Sequence, residues 1–272
     1  MLQHEASLPL TDLGVLRGLG VFDFLRTYHG LPFALEAHWR RLENSAQALG
    51  LALPHTLEEV QEIIDELLFL KEDKNQEIGF RMVLTGGEAA FGTFYQGQPN
   101  FFILSEAIRP HNELEYEKGI KVITQNYQRN FPEIKSTDYL ATFAFQKKIE
   151  EAQANDVLYC FQNKVTECSR SNFFMVKGDT LISPKEHILL GITRQLVLEI
   201  AAGQMKVEER NIELQEVLEA DEAFLTGTRA EVKPVIQIDN QLIGKARVGK
   251  YSKRLRKSLL EKIHEMCTSS MH

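Results

Sequence analysis

Apolar and polar positions along the chain follow two periods, and the switches between them mark out elements. GVFDFLRTYHGLPFAL, from Gly20 to Leu35, reads as two short strands around a Tyr28-His29-Gly30 turn. EAHWRRLENSAQALG then moves to helical spacing, with Leu42, Ala46 and Leu49 on one face and Gly50 placed to stop it. TLEEVQEIIDELLFLK opens on Thr56 and Glu59 at capping-box spacing. It continues with Val60, Ile63, Ile64, Leu67 and Leu68 along one side. IGFRMVLTGG and NFFILSEAI read as strands. These elements form an expected small domain over residues 1–107.

RPHNELEYEKG is polar and contains a proline, which places a linker at 108–117. A larger domain over 118–272 is expected after it. It starts with the strand IKVITQNYQ, and from Thr142 the stretch ending at Ala152 reads as an amphipathic helix. DVLYCFQNKVTE and NFFMVKGDTLIS each turn on a polar trio, as hairpins do. GITRQLVLEIAAG is helical, and EAFLTGTRAEVKPVIQIDNQLIG is strand-rich with an Asp239-Asn240 turn. Hairpins mixed with helices predict α+β architecture rather than a doubly wound parallel sheet. No G-x-G-x-x-G or P-loop is present, which removes the support for dinucleotide and nucleoside-triphosphate binding.

Composition narrows the picture further. The 272 residues are 43% hydrophobic and 25% charged, as in ordinary globular proteins. A formal charge of −7 argues against nucleic acid as the main partner. The basic stretch KYSKRLRKSLLEK carries Leu255 and Leu259 at helical spacing, continued by Ile263, so it reads as the solvated face of a helix. No apolar run is long enough to span a membrane, and MLQHEASLPLTD lacks the pattern of a secretory leader. Three cysteines without metal-ligand spacing fit a reducing cytoplasm. No metal site is expected.

Five features carry candidate chemistry. Lys135 sits between Ile134 and a Ser-Thr-Asp cluster, and a lysine amine that loses its proton can form a Schiff base with a carbonyl. Glu167 ends an apolar strand, where a carboxylate can pair with a protonated ring nitrogen. Arg41 offers the planar fork that suits a phosphate. Gly191, Ile192 and Thr193 open a helix, so their amides and the Thr193 hydroxyl point at whatever lies there. Gly227-Thr228 forms a second glycine-threonine turn. Each feature alone is ordinary. Together they are the requirements of pyridoxal 5′-phosphate: an amine for its aldehyde, an acid for its pyridine nitrogen, an arginine and backbone donors for its phosphate.

The chain resembles the class IV aminotransferases, the fold-type IV pyridoxal 5′-phosphate enzymes. That group includes branched-chain aminotransferases, D-amino-acid transaminases and aminodeoxychorismate lyases. The resemblance runs in order through RGLGVFDFLRTYHGLPF, HWRRL, IKSTDYL, VTECSRSNFFMVKGDTLISP, ILLGITRQ, EADEAFLTGTRAEVKPV and IDNQLIGKARVGKYSKRL. It implies the two-domain, D-amino-acid aminotransferase-like α+β fold and a homodimer. It also implies that Lys135 is the Schiff-base lysine, that Glu167 pairs with the pyridine nitrogen, and that Arg41 holds the phosphate. Ile192, Thr193 and Thr228, with Gly191 and Gly227, would surround that phosphate. Leu189 would pack on the ring, and Tyr139 would reach the phenolic oxygen. Two positions depart from the family pattern: Gly18-Leu19-Gly20 replaces Gly-Asp-Gly, and Asp138 replaces an asparagine.

The resemblance implies an amino acid and a 2-oxo acid as substrates. In VFDFLRT, taken as a strand, Phe22, Phe24 and Arg26 share one face, and in the family this strand borders the substrate. Arg26 and Arg170, the latter in ECSRSN, are expected to anchor the substrate carboxylate. FDFLRT and IKSTDYL look most like D-amino-acid transaminases. The alternatives are a branched-chain aminotransferase, an aminodeoxychorismate lyase releasing pyruvate, or a cofactor-binding protein without turnover.

Overall fold

The computed structural model describes residues 5–269 apart from 72, 74, 75, 89–94 and 96. The chain divides into two compact units. One extends to Arg109 and also takes in Ile134–Tyr139; the other holds Pro110–Glu133 and the chain from Leu140 onward.

The first unit contains α1 (Leu13–Arg17), β1 (Gly20–Tyr28), β2 (Leu31–Pro32), α2 (Leu35–Ala48), α3 (Leu57–Phe69), β3 (Ile78–Thr85) and β4 (Asn100–Ala107). Its sheet has the order β2-β1-β3-β4, with every pairing antiparallel. Tyr28 pairs with Leu31 across the expected His29-Gly30 turn. β1 is buried from Gly20 to Thr27, because side chains of both its faces are covered. Val21 and Leu25 join Trp39, Leu42, Val60, Ile64, Phe80 and Met82 in one core, which Ile134 also enters. Phe22 and Phe24 point the other way, with Val83. The capping box of Thr56 and Glu59 starts α3, and α2 ends at Leu49 before the left-handed Gly50.

The second unit contains α4 (Glu113–Lys118), β5 (Ile120–Asn126), α5 (Leu140–Glu151), β6 (Asp156–Phe161), β7 (Lys164–Cys168), β8 (Asn172–Lys177) and β9 (Thr180–Ser183). It continues with α6 (Ile192–Ala202), β10 (Lys206–Glu209), β11 (Ile212–Glu213), α7 (Leu214–Leu218), β12 (Glu222–Gly227), β13 (Glu231–Ile238), β14 (Gln241–Leu242) and α8 (Lys250–Ser269). Its sheet runs β10-β9-β8-β12-β13-β5-β6-β7-β11. The pair Glu167↔Asn172 joins β7 back to β8, so β8-β12-β13-β5-β6-β7 closes into a ring. Leu158, Phe173, Met175, Leu225 and Val235 are among the side chains of its core. Antiparallel hairpins and the parallel pairs β13–β5, β5–β6 and β10–β9 occur together, an α+β arrangement.

Two local expectations change. The polar stretch assigned to a linker is helical over Glu113–Lys118. The helix expected from Thr142 begins at Leu140; Phe145 and Ile149 are partly buried against Ile123, Val157 and Tyr159, while Leu140 and Phe143 are exposed. In α8, by contrast, Leu255, Leu259 and Ile263 are buried as their spacing predicts. No described helix is long and apolar enough to cross a membrane.

Candidate active site

In the first unit Lys135 lies on a short segment held along the edge of β1. The Phe22 amide donates to the Lys135 carbonyl at 2.9 Å, and the Thr137 amide donates to the Gly20 carbonyl at 3.0 Å. The Lys135 amide donates to Ser45 Oγ at 3.2 Å, from the buried face of α2. Ile134 anchors the same segment in the core. The backbone of Lys135 is therefore fixed on both sides while its side chain is half-buried. Its Nζ lies 4.6 Å from the centroid of the Phe22 ring, and the Tyr139 ring lies 5.7 Å from that same ring.

Arg41 is fixed by a residue that sequence reasoning missed. Asp23 is fully buried on β1, and its carboxylate accepts from Arg41 Nε at 2.7 Å and from an Arg41 terminal nitrogen at 2.8 Å. His38 Nδ1 lies 2.7 Å from the same carboxylate. Burial alone would raise the Asp23 pKa, but Arg41 and His38 outweigh it and hold the carboxyl well below the usual range. Burial lowers the His38 pKa against the pull of Asp23. A charged fork gripped by a dry carboxylate has one orientation, which is what phosphate recognition requires. The signal in the sequence was an aspartate between Phe22 and Phe24.

Phe22, Phe24 and Arg26 do share a buried face of β1. Phe22 and Phe24 pack with Val83, Phe102, Ile108 and Tyr139. Gly79 on β3 makes room for Phe24, since a Cβ there would lie 2.4 Å from the ring. The Arg26 guanidinium stacks 4.4 Å from the Tyr28 centroid, and its Nε donates to the Thr27 carbonyl at 3.2 Å.

In the second unit Glu167 is buried, not a solvated strand end. Its carboxylate accepts from Arg129 Nε at 2.7 Å and from the Leu189 amide at 3.0 Å. Asn172, its ladder partner, donates Nδ2 to the Leu189 carbonyl at 2.7 Å. Leu189 is thus pinned by its amide and its carbonyl just ahead of α6. Gly191 is the N-cap of that helix, and no side chain caps it; the amides of the first turn remain oriented outward from the helix start. Gly191 itself is required, because a Cβ would lie 2.1 Å from Asn172 Oδ1. Arg194, the residue after Thr193, is buried and bonded to Ser183 Oγ, the Pro184 carbonyl and Glu209. Arg129, Asn172 and Arg194 were not singled out in the sequence, since they meet their partners only through the closed ring of strands.

Gly227 and Thr228 begin the connection from β12 to β13, and both are half-buried. Arg170 is exposed, and its charge acts on the half-buried carboxyl of Asp156. Among the described residues no cluster of side chains suits a metal ion. The donors do suit pyridoxal 5′-phosphate in kind. They comprise a half-buried amine, an oriented guanidinium, a buried carboxylate, and a helix of eleven residues whose first-turn amides carry no side-chain cap.

Comparisons with known proteins identify the family. The family model for amino-transferase class IV matches residues 20–238. A putative branched-chain-amino-acid aminotransferase of Methanocaldococcus jannaschii is 33% identical over 93% of this chain and 90% of its own length. A D-alanine aminotransferase of Bacillus licheniformis is 30% identical, covering 97% of this chain and 94% of its own length. Among solved structures, the PLP-form of the branched-chain amino acid aminotransferase from Thermobaculum terrenum superposes with a TM-score of 0.85 at 27% identity, over 97% of this chain and 91% of that one. With a family match covering most of its length and relatives aligned nearly end to end, the chain belongs to the class IV aminotransferases, pyridoxal 5′-phosphate enzymes of fold type IV.

Proposed function

We propose that this aminotransferase exchanges the amino group of an amino acid for the oxo group of a 2-oxo acid with Lys135 as the catalytic base, and that D-amino acids are its preferred donors. The observation that carries the reading is the fixed backbone of Lys135, which presents a half-buried amine over the Phe22 ring. Pyridoxal 5′-phosphate, when bound, supplies an aldehyde that condenses with amines and a ring that accepts the electrons freed when a substrate Cα–H bond breaks. Lys135 provides the resting amine. With a substrate amine in its place, Lys135 would be the base that accepts the substrate's Cα proton and the acid that gives it back.

The remaining residues orient and hold charge. Glu167 keeps a proton on the pyridine nitrogen, since a buried carboxylate favours a neighbouring cation. Arg41, the amides of Ile192 and Thr193, and the hydroxyls of Thr193 and Thr228 hold the phosphate. Gly191 and Gly227 let the backbone come close to it. Leu189 would pack on the ring, and the Tyr139 hydroxyl would reach the phenolic oxygen. Arg26 and Arg170 anchor the substrate carboxylate.

Support for D-amino acids comes from FDFLRT and IKSTDYL, which resemble D-amino-acid transaminases, and from the 30% identical D-alanine aminotransferase. A second reading, branched-chain L-amino acids, has its own support. Phe22, Phe24, Val83 and Phe102 form an apolar face, and the 33% identical relative carries that name. A panel of D- and L-amino acids with pyruvate and 2-oxoglutarate as acceptors, run beside aminodeoxychorismate, separates them. Turnover of D-alanine above L-leucine, L-isoleucine and L-valine is expected; the reverse order establishes the second reading, and pyruvate release from aminodeoxychorismate overturns both.

A further inference from the structure

The connection from β12 to β13 is tied down by an ion network around one buried carboxylate, which the proposed chemistry does not use. We propose that Glu231, held by His111 and Arg256, is a positioning residue that sets the orientation of Thr228. This rests on the reading of Thr228 as a phosphate donor.

Gly227 pairs with Glu231 in the ladder, leaving Thr228, Arg229 and Ala230 as a three-residue connection. Hairpins of this length close on a left-handed residue, most often glycine. Here the left-handed residue is Glu231, the strand residue that follows the connection, with φ of +51°. A glutamate kept in the left-handed region, 3% exposed, needs surroundings that hold it there. Its carboxylate is gripped from two elements: His111 Nε2 at 2.9 Å from the segment before α4, and Arg256 Nε at 2.9 Å from α8. Burial alone would raise its pKa, but His111 and Arg256 outweigh that and keep it low.

The same network reaches the connection a second time. The Tyr116 hydroxyl, from α4, donates to the Ala230 carbonyl at 3.1 Å and lies 3.1 Å from His111 Nδ1. The Arg256 guanidinium stacks 3.6 Å from the centroid of the Tyr116 ring. Arg256 is itself placed by Glu222, whose carboxylate accepts from the amides of Tyr251 and Ser252 at 3.0 and 2.9 Å where α8 begins. Thr228 therefore lies within a connection fixed at Ala230 by a carbonyl bond and at Glu231 by a carboxylate held between two donors. A turn needed only to reverse the chain would take glycine and dispense with the network.

The test titrates pyridoxamine 5′-phosphate, which cannot condense with Lys135, into apo-protein. Thr228→Val, Glu231→Gln and Glu231→Gly are each expected to raise Kd roughly tenfold, the scale of one lost charge-assisted hydrogen bond. Glu231→Gly decides between conformation and carboxylate, because it relieves the left-handed backbone while removing the bonds. For the Glu231 variants, with cofactor saturating, kcat should stay within about threefold, since Glu231 touches no reacting atom. In the Thr228→Val background the Glu231 changes should add little, because they act through that residue. If Thr228→Val raises Kd and the Glu231 variants do not, or if their effects add in full, the positioning role is overturned and the Thr228 reading stands. If Thr228→Val leaves Kd unchanged, that reading fails and the inference with it. Should both Glu231 variants be insoluble, His111→Gln gives the same readout: a raised Kd is expected, and an unchanged one overturns the role.

Discussion

At the scale of single residues, Asp23 shows how one buried charge organises a site. It holds the Arg41 fork and His38 together while shielded from water. Asp23→Asn removes the charge that compensates Arg41, and the loss of a buried pair's partner costs about 3 kcal/mol. Chemical denaturation should show that loss, and weaker binding of pyridoxamine 5′-phosphate should accompany it; unchanged values for both would refute the role. Arg170 gives a contrasting case. It is exposed and distinct from the core, so Arg170→Ala should raise KM by about tenfold or more without releasing cofactor, as expected for lost substrate binding. Unaltered kinetics would reject it as a carboxylate anchor. Lys135, Glu167 and Arg41 could be proposed from the sequence only as members of one set, since each alone is an ordinary residue in its place. Asp23 was not, because an aspartate between Phe22 and Phe24 does not say which cations will meet it. The partner of Glu167, Arg129, lies thirty-eight positions away and becomes visible only in the folded second unit.

Elements add what residues cannot specify alone. The start of α6 was readable from Gly-Ile-Thr, but what holds it was not. Asn172 and Glu167 pin Leu189 from β8 and β7, strands far back in the chain. Gly191→Ala would place a Cβ 2.1 Å from Asn172 Oδ1. The expected result is a rotated Asn172, a lost bond to the Leu189 carbonyl, and about 1–3 kcal/mol less stability. Cofactor affinity should fall with it; a variant that melts and binds like the parent would contradict the arrangement. α5 illustrates the opposite limit of sequence reading. Phe145 and Ile149 do pack against Ile123, Val157 and Tyr159, yet Leu140 and Phe143 are exposed, because helical spacing reports which residues share a face and not what covers that face. On β3, Gly79 reads as an ordinary weak point in a strand, and only the fold reveals the Phe24 ring lying across it.

For the molecule as a whole, buried titratable groups shape stability against pH. Asp23 and Glu231 have lowered pKa values in the native state. Below about pH 4 the unfolded chain binds protons that the native carboxylates refuse, so stability falls on acidification. His38, also lowered, begins that loss below about pH 6.5, and raised Asp156 partly opposes it. Burial pushes Cys160 up to about 12 and Tyr159 up to about 12, and raises Cys168 well above its usual value. Above about pH 9 the unfolded thiols release protons that the native state retains, so stability falls again. Tm should therefore peak near neutrality and decline on both sides; a Tm still rising at strongly alkaline pH would contradict this. Hairpins and helices made the α+β class legible, together with most elements. The closure of β7 onto β8 was not, since one residue pair, Glu167↔Asn172, makes it. Nor was the grouping of Ile134–Tyr139 with the first unit, which follows from Ile134 entering that core and the bonds along β1.

The central claim is that Lys135 carries the cofactor. Borohydride reduction of the holoenzyme, followed by proteolysis and mass spectrometry of the peptides, tests it directly. One phosphopyridoxyl group on the peptide containing Lys135, absent from Lys135→Ala, is the expected result. A modification on a different lysine, or none in a protein that still transaminates, would contradict it.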